Sequence, residues 1–301
     1  MTFPLKIQLD WLPNAQFAGI LYAHYHGRYT QAGIDLTILP WEACTNPMDS
    51  LEKEENFVVS TENNLLVGAR AQGKPVKAIG TMMQYSGIGW MSLVTSGVQT
   101  LPDLKGKRLG IHGDGELAIN TALDYHGMTQ EDLEILEVGY DYVELLTSGE
   151  LDAMQCFIMV EPLEMEQQGH SVNIIRGYDL GYQVYAQVIA TTENLITEQF
   201  EMLVQFLKVT YDGWRAAFMN PDEISQIIVT NYLKEGEADL QKRMLLAMQP
   251  LIAGDVGLEK LGWMESERWQ NSIVFMRASG MIDVDMAPNQ MMTNRLLKQL
   301  Y

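Results

Sequence analysis

Apolar and polar positions alternate in a regular order over the first half of the chain. Residues 5–9 alternate with period two, which predicts a strand with one covered face, and residues 15–26 carry apolar side chains at helical spacings. Further strands are predicted at 34–39, 57–60 and 76–82, with helices at 46–55 and 62–72 between them. This βαβαβαβ order predicts a mainly parallel sheet with helices on both faces.

The alternation breaks twice, at residues 84–90 and again at 178–188, where glycine and aromatic residues collect. Between the breaks a second α/β unit is predicted, with strands at 90–94, 108–111, 134–138, 151–157 and 172–175 and helices at 116–125, 141–147 and 161–168. We interpret the two breaks as crossings between two lobes, and we expect the ligand cleft to lie between those lobes.

Beyond residue 193 the pattern is almost entirely helical. Helices are predicted at 200–219, 221–232, 237–248, 261–279 and 291–300. A tail of helices cannot readily extend a second sheet, so we expect it to pack on the first lobe. The prediction is therefore a two-lobed α/β fold, with residues 1–86 and 189–301 in lobe I and 87–188 in lobe II.

Composition excludes several functions. The net charge is −19, from 39 acidic and 20 basic residues, whereas a nucleic-acid groove needs clustered Lys and Arg. The two cysteines, Cys44 and Cys156, and five scattered histidines form no metal-binding motif. The sequence contains no run of about twenty apolar residues, so no membrane span is predicted. We expect a monomer without metal or cofactor.

The segment Asp10-Trp11-Leu12-Pro13-Asn14 lies where the first strand gives way to the first helix. In open α/β sheets this carboxyl end of a strand is where ligands bind. Trp11 offers an aromatic face, Asp10 a hydrogen-bond acceptor, and Asn14 helps to set the turn. The alternative is that Trp11 is a core residue and Asp10 caps a helix that begins at Pro13.

Two segments, LPDLKGKRLG at 101–110 and GELDA at 149–153, resemble signatures of the type II solute-binding proteins of ABC importers. Four others, at 9–19, 69–76, 164–169 and 292–297, are similar to the branch that binds the thiamin pyrimidine precursor. The resemblance covers nearly the whole chain. It implies a two-lobed periplasmic-binding-protein fold that captures formylaminopyrimidine or hydroxymethylpyrimidine, closes at a hinge and delivers the ligand to an ABC permease.

The resemblance also implies site residues. Glu62 and Glu161 match pocket glutamates of that branch, although a carboxylate at a helix start is also favourable without a ligand. Aromatic residues crowd the two crossings and suit either a ligand wall or hinge packing, and Asp114 lies in a glycine loop before a helix. The candidate ligand-binding residues are Asp10, Trp11, Asn14, Glu62, Trp90, Asp114, Glu161, Tyr178, Tyr182 and Tyr185.

The same branch includes synthases that make hydroxymethylpyrimidine phosphate from pyridoxal phosphate and one of their own histidines. Their chemistry needs a Lys and a His after the third strand, but residues 60–66 contain neither, and the cysteine-rich segment typical of those enzymes is absent. Asp114 would repel a phosphate ester. We therefore predict a binding protein and not an enzyme; the alternatives are a synthase-like enzyme, or the same fold binding an alkanesulfonate or taurine.

The first residues enter the predicted strand at once, without a basic start or an apolar segment typical of a signal peptide. We expect a periplasmic or cell-surface location if a signal has been removed, and a cytoplasmic one if Met1 is the native start.

Overall fold

The computed structural model describes residues 2–39, 47–113, 115–139 and 141–301. The chain divides into two compact units. The first unit comprises Met1–Tyr85, Tyr185–Arg277 and Met281–Tyr301, and the second comprises Ser86–Val184 and Ala278–Gly280.

Ten strands occur in the described parts of the chain. They are β1 Phe3–Gln8, β2 Ile34–Leu39, β3 Phe57–Thr61, β4 Val76–Met83, β5 Ile88–Leu93, β6 Arg108–Ile111, β7 Glu134–Glu137, β8 Ala153–Phe157, β9 Val172–Arg176 and β10 Ala186–Thr192. The α-helices are α1 Ala18–Tyr25, α2 Arg28–Gln31, α3 Pro47–Lys53, α4 Asn63–Ala71, α5 Glu116–Tyr125, α6 Tyr142–Thr147, α7 Glu161–Gln167, α8 Glu193–Glu198, α9 Phe200–Met219, α10 Pro221–Asn231, α11 Ala238–Ala253, α12 Ser266–Ala278 and α13 Pro288–Met291.

The sheet of the first unit has the strand order β2-β1-β3-β10-β4. β1 is parallel to β2 and β3, whereas β10 is antiparallel to both β3 and β4, so the sheet is mixed. The sequence pattern missed β10 because its residues are buried on both faces and show no alternation. Since β10 runs antiparallel, its start lies at the carboxyl edge of its neighbours, with Val188 opposite Thr61 and Ala186 opposite Met83.

The sheet of the second unit has the order β7-β6-β8-β5-β9. It is also mixed, because β5 is antiparallel to β8 and β9 while β6 is parallel to β7 and β8. Met91, Met154, Cys156 and Met165 form part of its buried core. Cys156 is thus a buried thiol, and Cys44 lies outside the described residues.

The long helices after residue 193 belong to the first unit, where α9 packs against α1. Their backbones meet at a pair of glycines. A Cβ atom at Gly19 would lie 2.3 Å from Cγ of Trp214, and one at Gly213 would lie 2.1 Å from the Gly19 carbonyl oxygen. The close approach therefore requires glycine at both positions. None of the helices in the described ranges has the length and apolar character needed to cross a lipid bilayer.

Two helix predictions near the end of the chain differ from the structure. The helix predicted from 261 begins only at Ser266, because Gly262 has a φ of +90° and interrupts it. The helix predicted at 291–300 is replaced by a single bridge between Met292 and Ala78 and a short 3₁₀ turn. The side-chain amide of Asn294 bonds to both backbone groups of Met264, which competes with helical hydrogen bonding there.

Candidate functional site

Asp10 lies half-buried just beyond β1 in the first unit. Its Oδ1 accepts a hydrogen bond from Oγ of Ser60 on β3, at 2.9 Å. Burial raises the pKa of the carboxyl from 3.8 to about 6, and the bond from Ser60 partly opposes that rise because it favours the charged form. The turn after β1 therefore holds a carboxylate acceptor that titrates close to neutral pH.

Asn14, and not Asp10, caps the first helical turn. Its Oδ1 accepts from the backbone N–H of Gln16 at 2.9 Å, and a 3₁₀ turn at Ala15–Phe17 leads into α1. The alternative reading of Asp10 as the helix cap is therefore wrong. Trp11 is half-buried and thus not a fully enclosed core residue. Asn14 is buried, and its side-chain oxygen accepts a hydrogen bond from the backbone within the turn.

Three buried side chains that sequence reasoning missed hold this turn in place. Ser60 bonds to Asp10, Oε1 of Gln241 on α11 accepts from the backbone N–H of Ala15 at 2.8 Å, and Nε2 of Gln187 on β10 donates to Oε1 of Gln16 at 2.9 Å. No local sequence signal identifies them, because each partner is at least 50 residues away along the chain.

Glu62 follows β3 directly and occupies the position before α4. It is half-buried, and its carboxylate makes no capping hydrogen bond to the helix. Glu62 is therefore not a hydrogen-bonding cap of α4, and a negative charge at this position is favourable with or without a ligand. Because Ser60 and Glu62 are two residues apart at the end of β3, the edge that binds Asp10 also carries the Glu62 carboxylate.

Tyr185 is fully buried in the first unit, immediately before β10. Its hydroxyl accepts from the backbone N–H of Glu265 at 2.6 Å, and the guanidinium of Arg268 lies 4.8 Å from its ring centre. Arg268 lies 5.4 Å from the ring of Tyr85 as well. These contacts pack Tyr185 within the first unit.

Glu161 begins α7 in the second unit and is half-buried. Its Oε2 accepts from the backbone N–H of Phe157, the last residue of β8, at 2.8 Å. Burial raises its pKa from 4.5 to about 7, with a small contribution from the nearby charge of Glu164, while the backbone hydrogen bonds lower it. The second unit thus also places a titratable carboxylate at the carboxyl end of a strand.

The other candidates in the second unit differ in exposure. Trp90 lies within β5, is 1% exposed and has an indole N–H without a hydrogen-bond partner. Tyr182 is buried, and Tyr178 is half-buried in a 3₁₀ turn. Asp114 lies outside the described residues.

The glycine loop before α5 packs against a glutamine that the sequence did not single out. Oε1 of Gln155 on β8 accepts from the backbone N–H of His112 at 3.1 Å. A Cβ atom at Gly115 would lie 1.8 Å from that oxygen, so a larger residue there would require the Gln155 side chain to move.

A sequence profile described as "NMT1/THI5 like" matches residues 14–224. The chain belongs to this family. Two relatives that are named as binding proteins are similar to this chain over most of their length. A riboflavin-binding protein, RibY, from Chloroflexus aurantiacus is 25% identical over 97% of this chain and 86% of its own. A formylaminopyrimidine-binding protein from Halalkalibacterium halodurans is 24% identical over 91% of this chain and 84% of its own.

Enzymes are also among the similar proteins. A 4-amino-5-hydroxymethyl-2-methylpyrimidine phosphate synthase from Legionella pneumophila is 25% identical over 74% of this chain and 72% of its own. Among solved structures, the periplasmic aliphatic sulphonate binding protein SsuA from Escherichia coli matches with a TM-score of 0.77 and 15% identity, covering 95% of this chain and 91% of its own. At that identity the match shows the fold, which is that of a periplasmic binding protein.

Proposed function

We propose that this family member is a solute-binding protein that captures a thiamin-related aminopyrimidine, formylaminopyrimidine or hydroxymethylpyrimidine, and delivers it to an ABC permease. The observation that carries the proposal is the turn after β1, where a half-buried carboxylate and a half-buried indole are adjacent in sequence. The similarity to a formylaminopyrimidine-binding protein over 91% of the chain supports it.

An aminopyrimidine presents a flat ring, an exocyclic amine that donates hydrogen bonds, and ring nitrogens that accept them. Trp11 supplies a face for stacking, and Asp10 accepts from the amine. With a pKa of about 6, Asp10 is mostly ionised at pH 7. Glu62, which lies in the same unit, provides a further acceptor. No bond is made or broken; binding shifts the protein towards a closed form at its hinge, which the permease recognises.

A second candidate ligand is a flavin, because the riboflavin-binding relative matches 97% of the chain. The flavin ring also carries an N–H donor that suits Asp10 and a flat surface that suits Trp11. It is much larger than an aminopyrimidine, so the two ligands are separable by direct titration.

The resemblance places the Lys and His of the synthases in the region after the third strand. Residues 60–66 end β3 and begin α4, and none of them is Lys or His. Incubation with pyridoxal phosphate is therefore expected to produce no imine absorbance. Appearance of that absorbance, together with its loss on borohydride treatment at an identified lysine, would favour the enzyme.

Calorimetric titration with formylaminopyrimidine, hydroxymethylpyrimidine, riboflavin and taurine tests the ligand class. We expect saturable binding of an aminopyrimidine and none of taurine, because the acidic candidate residues disfavour an anion. Tight binding of riboflavin alone would select the flavin alternative, and tight binding of taurine alone would overturn the aminopyrimidine assignment.

The proposed function requires that the protein deliver its ligand at the outer face of the cytoplasmic membrane. We also propose that the protein acts as a monomer. Fractionation of cells that express the full-length gene tests the location, and light scattering tests the oligomeric state. Recovery only in the cytoplasmic fraction would contradict a role in import.

A further inference from the structure

Gln187 carries two separate energetic costs. Its φ is +50°, in the left-handed region that residues with a Cβ rarely adopt; Asn56 is the other non-glycine residue with positive φ in the described part of the chain. Its side chain is 1% exposed, and its Oε1 has no hydrogen-bond partner. A buried acceptor without a partner loses its hydration without compensation.

These costs accompany one specific contact. Nε2 of Gln187 donates to Oε1 of Gln16 at 2.9 Å, and both side chains are buried. In the sheet, β3 lies between β1 and β10. The side chain at the start of β10 therefore reaches past the carboxyl end of β3 to the loop that follows β1.

Gln16 belongs to the same short segment as Asp10 and Trp11. Its backbone N–H is bonded to the side chain of Asn14, and the segment is also fixed by Ser60 at one end and by Gln241 at Ala15. Among these hydrogen bonds, the one between Gln16 and Gln187 joins two neutral side chains. Substitution by a side chain of similar volume therefore removes it without changing a backbone hydrogen-bond partner or a charged residue.

We infer that Gln187 is a positioning residue for the ligand-binding turn. It acts through Gln16 and holds residues 10–17 in the conformation that presents Asp10 and Trp11. The identity of the ligand rests on the proposed function, but the effect on the turn does not. Gln187 itself touches no ligand in this assignment, since its side chain is enclosed.

A double-mutant cycle tests whether the two glutamines act together. Gln16→Met, Gln187→Met and the double variant keep side-chain volume and remove the amide pair. With formylaminopyrimidine as the probe, we expect each single variant to lose about tenfold in affinity and the double variant to lose no more than either one. Additive losses, or unchanged affinity in Gln187→Met, would overturn the inference.

Hydrogen exchange provides a readout that needs no ligand. In both single variants the amides of Gln16 and Phe17 are expected to exchange about tenfold faster, while the amide of Ile7 in β1 keeps its wild-type rate. Faster exchange throughout the first unit would indicate a merely structural role and would overturn the inference, as would unchanged exchange at Gln16 and Phe17.

The matched control is Thr210→Val, which removes a buried hydroxyl contact with Tyr29 elsewhere in the first unit. We expect it to leave both readouts unchanged.

If wild-type protein binds no pyrimidine but the exchange pattern follows the prediction, the proposed function fails and the positioning role stands. If wild-type protein binds and Gln187→Met binds equally well, only the positioning role fails.

Discussion

At the scale of single residues, the Asp10 carboxylate lies in an environment that differs from that of an ordinary surface side chain. Burial raises its pKa to about 6, so the folded protein binds a proton more tightly there than the unfolded chain does. The stability that this proton contributes is complete below pH 3.8 and is lost as the pH rises through 6. At pH 7 the ionised carboxylate is therefore a cost to folding.

Asp10→Asn should separate stability from binding. At pH 8 we expect the variant to unfold with a free energy about 1 to 3 kcal/mol higher than wild type, since one pKa unit corresponds to about 1.4 kcal/mol. The difference should shrink towards zero at pH 4. Affinity for formylaminopyrimidine should fall because a carboxylate acceptor is lost. Urea unfolding at the two pH values measures the first effect, and a variant less stable than wild type at pH 8 would contradict it.

At the scale of elements, the sequence pattern predicted those helices and strands whose formation depends on local spacing of apolar residues. Helix α9 and strand β6 were predicted with the bounds that the structure has, because their apolar spacing is regular. β10 was missed because it is covered on both faces, and the helix predicted at 291–300 failed because Asn294 bonds to a distant backbone. In the same way, the sequence pattern suggested Asp10 and Trp11, which are neighbours, but it did not point to Ser60, which bonds to Asp10, or to Gln187, which bonds to Gln16.

The contact between α1 and α9 gives a stability prediction with a built-in control. Gly19→Ala would place a Cβ against Trp214, and we expect a loss of about 1 to 3 kcal/mol in unfolding free energy from overpacking. Gly68→Ala on α4 meets no atom within 4 Å, so it should gain up to about 1 kcal/mol from helix propensity. Thermal and urea unfolding measure the stability of both variants. Equal effects of the two substitutions would contradict the close packing of α1 against α9.

At the scale of the whole molecule, the net charge of −19 favours neutral or cationic ligands over anions. Hydroxymethylpyrimidine should therefore bind at least about tenfold more tightly than its phosphate ester, and the difference should narrow as salt screens the repulsion. Titrations at low and high ionic strength measure this. Tighter binding of the ester would instead match a protein that makes or handles the phosphorylated product.

The most direct test of the account is a calorimetric titration of formylaminopyrimidine into wild type and Trp11→Ala. Stacking on an aromatic side chain contributes ~1 to 3 kcal/mol, so we expect the variant to bind roughly 5- to 150-fold more weakly. Trp263→Ala is the control, since Trp263 is half-buried in the same unit and its indole N–H is bonded to Glu265 at 2.8 Å. Saturable wild-type binding that weakens only in Trp11→Ala is the predicted result. Equal affinity in all three proteins, or no binding by wild type, would contradict the assignment of the Asp10–Trp11 turn as the ligand-binding site.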